Sequence, residues 1–234
     1  MEQQTPTIIA DKNLFIVTSA LKPVIGVIPH PERLSQTLDT LYNLRKRVPD
    51  AIICFVDCSV TPLTEDEKEQ ISKYINIFLD MSQEQNTMYF SSQGLKSHAE
   101  NAMLYMTLLH LKTDPQFGPM MKTVKRIFKY SSRSLLADGF DISHYENLFG
   151  KYVFKKRIPS WRDSSTSLFI TRMFSLCPSL IDNYLDVIQK NLPLLNQMDT
   201  EHAHFINIPK EHLVEFDKLH CSGIMAGTGE TEHY

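Results

Sequence analysis

The sequence predicts an α/β fold: a mostly parallel central sheet, helices on both faces, and a smaller antiparallel C-terminal extension. Three observations carry this expectation. Uninterrupted apolar runs, Leu14 to Val17 in "NLFIVTSAL" and Ile52 to Val56 in "AIICFVDCS", have the composition of strands buried on both faces. Helical patterns separate these runs in a β-α-β-α-β order, which calls for a parallel sheet with crossover connections. Finally, 234 residues with 42% apolar side chains can bury a substantial core, and the length suits one α/β domain, residues 1–234.

The first strand ends in Thr18 and Ser19. In "PERLSQTLDTLYNLRKRVP", Leu34, Leu38, Leu41 and Tyr42 recur at helical spacing, Arg45, Lys46 and Arg47 fill the last turn, and Pro49 stops the helix. The second strand ends in Asp57 and Ser59. "TEDEKEQISKYI" reads as a helix capped by Thr64, with Glu67 three residues on to complete a capping box. "NIFLDMS" is a third, short strand. "SQGLKSHAENAMLYMTLLHLK" is a helix entered through Gly94, with Ala99, Met103, Met106 and Leu109 on its apolar face. After the break "DPQFGP", "VKRIFKYSS" supplies a fourth strand. "KYVFKKRIPSW" and "STSLFITRMFSL" read as strands of the antiparallel extension, and "SLIDNYLDVIQKNLPLL" as a helix. The Gly-rich tail "HCSGIMAGTGETEHY" reads as a loop closing over something, or as a disordered end.

Composition excludes several classes. A formal charge of -3 argues against a dedicated nucleic-acid binder. Cys54, Cys58, Cys177 and Cys221 are scattered and have no His or Cys cluster nearby, so they read as reduced core thiols. No Asn-x-Ser/Thr acceptor, basic leader or bilayer-length apolar segment is present, and the expected compartment is reducing and cytoplasmic.

In an open α/β sheet, ligands bind beyond the carboxyl ends of the strands. The residues there are Thr18, Ser19 and Ala20; Asp57, Cys58 and Ser59; and Lys129, Ser131, Ser132 and Arg133. An acid after the second strand accepts bonds from a base or ribose, or else caps its own turn. A Lys/Ser/Arg turn suits a phosphate. No Gly-x-Gly-x-x-Gly or Gly-Lys-Ser/Thr loop follows the first strand, which removes most of the case for dinucleotide dehydrogenases and phosphate-loop NTPases.

The segments "TSAL", "ERLSQTLDTLYNLRKRVPDAIICFVDCS", "GLKSHAENAML", "RIFKYSSRSLL", "DTEHAHF" and "LHCSGIMAGTGE", in that order, resemble glycosyltransferases of the GT-A (Rossmann-like) type, in particular small ones of bacteria and large algal DNA viruses. Related sequences read Lys-x-Ser-Gly-Arg-Tyr where this chain has Lys129, Ser131, Ser132 and Arg133, so Ser132 replaces the Gly. The resemblance implies transfer of a hexosyl or pentosyl group from a nucleotide-sugar donor, expected to be a UDP-sugar, to a hydroxyl of a glycan acceptor. It implies a nucleotide-binding part over about residues 12–135, and an acceptor-side part with a C-terminal lid over about 136–234. The Asp-x-Asp pair that holds a divalent metal in many such enzymes is absent from the fourth strand's end. The expectation is therefore no required cofactor, with Lys129 and Arg133 neutralising the diphosphate, and Mn2+ or Mg2+ as an option through Asp57 or Asp141.

The candidate catalytic bases are, in order, Glu201, Asp141 and Asp163. Lys96 is a further candidate at the donor site, or else half of a surface i,i+4 pair with Glu100. Gly229 belongs to the expected lid "GTGE". Trp161 either stacks on a sugar face or packs into the core. The alternatives to a transferase are a nucleotidyltransferase or a binding module without turnover.

Overall fold

A computed structural model describes residues 11–224 and 229–234. In chain order the first elements are β1 (Lys12–Ser19), α1 (His30–Arg47), β2 (Ile52–Asp57), α2 (Glu65–Ser72), β3 (Ile77–Asp80), α3 (Gln85–Ser92), α4 (Lys96–Thr113) and α5 (Gly118–Met121). Then come β4 (Val124–Ser131), β5 (Ser134–Leu136), α6 (Ser143–Glu146), β6 (Tyr152–Lys155), β7 (Ile158–Pro159), β8 (Ser167–Leu168) and β9 (Met173–Leu176). The chain continues with α7 (Ile181–Leu194), α8 (Thr200–Asn207), β10 (Leu213–Phe216), β11 (Cys221–Ile224) and β12 (Thr231–His233).

The central sheet has seven strands in the order β10-β6-β9-β4-β1-β2-β3. β4, β1, β2 and β3 are mutually parallel, β6 pairs parallel with β10, and β9 alone runs against its neighbours β4 and β6. Because side chains alternate across a strand, each apolar run feeds two cores. Leu14, Ile16, Cys54, Val56 and Ile127 pack on one face with Met103, Leu104 and Leu108 of α4 and Tyr184 and Ile188 of α7. Phe15, Val17, Ile53, Phe55 and Phe128 pack on the other with Leu41 and Leu44 of α1 and Ile71 of α2. Phe15 and Phe128 stack across the β1/β4 pair with ring centroids 4.5 Å apart.

The Thr64 cap is present in full: its hydroxyl accepts from the Glu67 amide, and the Glu67 carboxylate accepts from the Thr64 amide. Three expectations need correction. Tyr42 is exposed, because the buried face of α1 runs Arg33, Thr37, Thr40, Leu41, Leu44. On α4 the buried line includes Ala99, Met103 and Thr107, while Met106 and Leu109 lie at its edge. The strands expected in a separate extension, β6 and β9, are instead inserted in the main sheet, and the small antiparallel sheets are β12-β11-β5 and β7-β8. The tail is accordingly more than a loop. Cys221 and Gly223 turn inward as β11 pairs with both β5 and β12, while Gly227 and Thr228 lie outside the described residues.

Candidate functional site

A cavity of about 220 Å³ opens at the carboxyl ends of β1 and β4. Its floor is Thr18, Ser19 and Ala20 from the end of β1, with Ser131 and Arg133 from the end of β4. Its walls are the β1–α1 loop (Pro23, Val24, Ile25), Arg33 of α1, and the entry of α4 with Lys96 and Glu100. Gly94 sets the corner between α3 and α4. It has φ +69°, a left-handed backbone that strains any side chain, and a Cβ there would stand 2.4 Å from Ile25 Cδ1, so the Ile25 side chain on the cavity wall would have to turn aside.

Three cations converge on this space. Arg33 is 3% exposed and is aimed by its own loop: Nε donates to Ile28 O at 2.9 Å and Nη1 to Ala20 O at 3.2 Å. Burial holds its guanidinium below the usual arginine range. Arg133 is lowered to about 10 by burial and then by the charges of Arg33 and Arg172. Lys96 is likewise lowered by burial, then by Arg33 and Arg133. Among the described residues no acceptor meets buried Arg33 Nη2 or buried Arg133 Nε. Buried guanidinium N–H groups are costly to leave unpaired, so mutually repelling cations with open donors make a receptor for an anion.

Directly beneath lies a second polar group in which the charges cancel. Lys129, 4% exposed, meets Glu100 Oε1 at 2.5 Å and donates to Thr171 O at 2.8 Å. Thr171 Oγ1 in turn donates to Glu201 Oε1 at 2.9 Å. Burial alone would raise the Glu100 carboxyl, but the charge and hydrogen bond of Lys129 bring it below the usual range. Among the described residues Glu201 has no cation of its own. Burial, and then the negative charge of Glu100, raise it to about 7, with the Thr171 hydroxyl opposing. The two acids are held in register by the bond from Asn101 Nδ2 to Thr200 Oγ1, 2.9 Å, between the residues next to each on α4 and α8.

The structure thus gathers Thr18, Ser19, Ala20, Lys96, Ser131 and Arg133 at the cavity, and places Glu201 behind it through Glu100 and Lys129. The other expected residues are elsewhere. Lys129 shares the face of Ile127 in β4 and points into the sheet's interior, where its charge is spent on Glu100. Asp57, 1% exposed, accepts from the Leu21 and Ser59 amides, and Ser59 accepts from the Lys22 amide, so both shape the loop from within. Ser132 is buried, its amide donating to Thr18 O. Asp141 and Asp163 sit on exposed turns, accepting from the Ser143 and Ser165 amides, and neither lines the cavity. Gly229, φ +77°, lies between β11 and β12, outside the cavity lining. Glu100 turns to Lys129 instead of pairing with Lys96.

Arg33 was not legible as a site residue. Its only signal is a charged side chain on the same helical face as Thr37, Thr40, Leu41 and Leu44.

A divalent cation does not fit this donor set. The end of β4 offers hydroxyls and a guanidinium, and the carboxylate that lines the cavity is already bound by Lys129. Asp57 has no oxygen turned to the cavity, and among the described residues no group of three His, Cys, Asp or Glu side chains is placed to hold a metal.

No family model and no curated protein sequence matches the chain. Among solved structures it is similar to core-mannan synthase A (CmsA/Ktr4) from Aspergillus fumigatus in its Mn/GDP form, with TM-score 0.50 and 10% identity, covering 88% of this chain and 73% of that one. It is also similar to the mannosyltransferase PcManGT from Pyrobaculum calidifontis in complex with GDP-Man and Mn2+, with TM-score 0.50 and 11% identity, covering 97% of this chain and 62% of that one. The fold is that of the GT-A class. Among the described residues no helix is long and apolar enough to cross a membrane.

Proposed function

We propose that this chain is a glycosyltransferase that takes a hexosyl or pentosyl group from a nucleoside-diphosphate sugar and delivers it to a hydroxyl of a glycan. The observation that carries this reading is the cavity's cation cluster, in which Arg33 Nη2 and Arg133 Nε are left unpartnered among the described residues. The Thr18–Ala20 floor and the apolar Val24 and Ile25 receive the nucleoside, while Arg33, Lys96 and Arg133 receive the diphosphate. Both similar structures hold GDP or GDP-Man, so guanine joins uracil as a donor base to be tested.

In the transfer, the acceptor O–H gives its proton to Glu201 while its oxygen bonds to the anomeric carbon. The bond from that carbon to the diphosphate breaks, and the electron pair leaves on the phosphate. Arg33 and Arg133 hold the charge that develops there, the task a metal performs in other enzymes of this fold. Glu201 near pKa 7 is matched to this role, since a base at ambient pH accepts a proton without being permanently protonated. The four cysteines are free and buried, which suits a reducing, cytoplasmic setting.

The test is donor turnover by the whole chain, with UDP- and GDP-sugars and in the presence or absence of Mn2+. Glu201→Gln is expected to abolish transfer and leave donor binding intact. Donor binding without turnover in the unmodified chain would instead make it a binding module.

A further inference from the structure

The chain's single tryptophan does not pack into the core. Trp161 is 63% exposed, on the connection between β7 and β8. An exposed indole usually swings freely, but this one stands edge-on to the ring of His202, with centroids 5.6 Å apart, and His202 is itself clamped from two sides. Its Nε2 lies 2.7 Å from Ser160 Oγ and its Nδ1 2.6 Å from Asp199 Oδ1. Ser160 Oγ already accepts from the amides of Arg162 at 3.0 Å and Asp163 at 3.4 Å, so its proton goes to His202 Nε2, and His202 Nδ1–H donates to Asp199. Ser160 is 5% exposed and its lone pairs are occupied, so the Ser160–His202–Asp199 array is a clamp for the hairpin and not a nucleophile with its base. Asp199 also caps α8, whose first turn carries Glu201.

From this we infer that Trp161 is the stacking platform of an acceptor subsite for a neutral oligosaccharide, anchored through His202 to the helix that carries the proposed base. A pyranose presents a face of C–H groups that packs on an indole, and its rim of hydroxyls needs polar neighbours. Arg162, 54% exposed and donating to Gln197 O, and the hydroxyls of Ser165 and Thr166 provide that rim. Holding the indole in place before binding lowers the entropy cost of docking. The inference rests on the reading of Glu201 as the base, and it names the class of acceptor that base serves.

Because Trp161 is the single tryptophan, its emission reports this subsite directly and without donor. Mannotriose, xylotriose and cellotriose are titrated against the whole chain. At least one is expected to change the emission saturably and to protect it from acrylamide quenching. Trp161→Ala is expected to raise the acceptor KM about tenfold while kcat and nucleoside-diphosphate affinity stay unchanged, and Trp161→Phe to recover most of the loss. If none of the three sugars alters the emission, or if Trp161→Ala leaves the acceptor KM unchanged, the subsite is not there. Sugar binding by a chain that fails to bind any nucleoside diphosphate would sink the donor reading and leave this one standing.

Discussion

Two polar regions lie four residues apart along one strand and its following turn, and they solve opposite problems. At Lys129 each polar group has a partner: the ammonium meets Glu100 and Thr171 O, and the Thr171 hydroxyl meets Glu201. At Arg133 the charges accumulate, with Arg33 and Lys96 closing on the same space and guanidinium N–H groups left open among the described residues. A closed network holds atoms still, whereas an open cluster of like charge waits for its counter-ion. The contrast separates machinery from ligand site better than residue type does, since both regions are built around a basic side chain.

The largest expected effect breaks the closed network. Lys129→Met leaves Glu100 buried without its cation and should cost about 3–5 kcal/mol in urea unfolding. Adding Glu100→Gln should restore most of that loss, because the stranded charge is then gone. A Lys129→Met chain as stable as the parent would show that the pair is not closed as described.

Next is Glu201. Its folded pKa of about 7 lies above the ordinary 4.5, so the native state holds a proton that the unfolded chain releases. Its contribution to stability is therefore complete below about pH 4.5 and is lost as the pH rises through 7, by about 3 kcal/mol. Glu201→Gln should make the protein more stable than the parent at pH 8 and equal to it near pH 4.5. Thermal unfolding across that range measures it. Turnover should show the reverse trend, rising with pH through about 7 as the base deprotonates.

Arg33→Ala and Arg133→Ala sharpen the other side of the comparison. Each should lower nucleoside-diphosphate affinity by about 1.5–3 kcal/mol; folding stability should change little for Arg133→Ala, and fall by about 1–3 kcal/mol for Arg33→Ala, which also strands Ile28 O and Ala20 O. Calorimetric titration and urea unfolding on the same variants separate the two. Lys96→Ala should show the smallest loss, about 1 kcal/mol or less, because its exposed ammonium is screened by water.

The parallel half of the fold was legible because strands covered on both faces show as unbroken apolar runs, and because a capping box marks α2. Helix α3 was not: "QNTMYFSS" buries only Thr87 and has no apolar period to read. The turn after β4 reads as a place for an anion through both Lys129 and Arg133, and the structure separates the two cations. Ile127, Lys129 and Ser131 share one face of β4, but Lys129 lies deeper, where Glu100 and Thr171 O take its ammonium, and Ser131 and Arg133 at the strand's end line the cavity. Arg33 escaped because its burial comes from the β1–α1 loop folding back to offer Ile28 O and Ala20 O, a tertiary event with no local signature. The tail read as a loop because its glycines mask the alternation of Cys221 and Gly223 in β11.

The most direct test is calorimetric titration of GDP and UDP in EDTA, comparing the unmodified chain with the Arg33→Ala/Arg133→Ala double variant. The account predicts saturable binding of at least one nucleotide without any divalent ion, weakened on the order of a hundredfold in the double variant. Equal affinity in both proteins, or binding that appears only when Mn2+ is added, would contradict it.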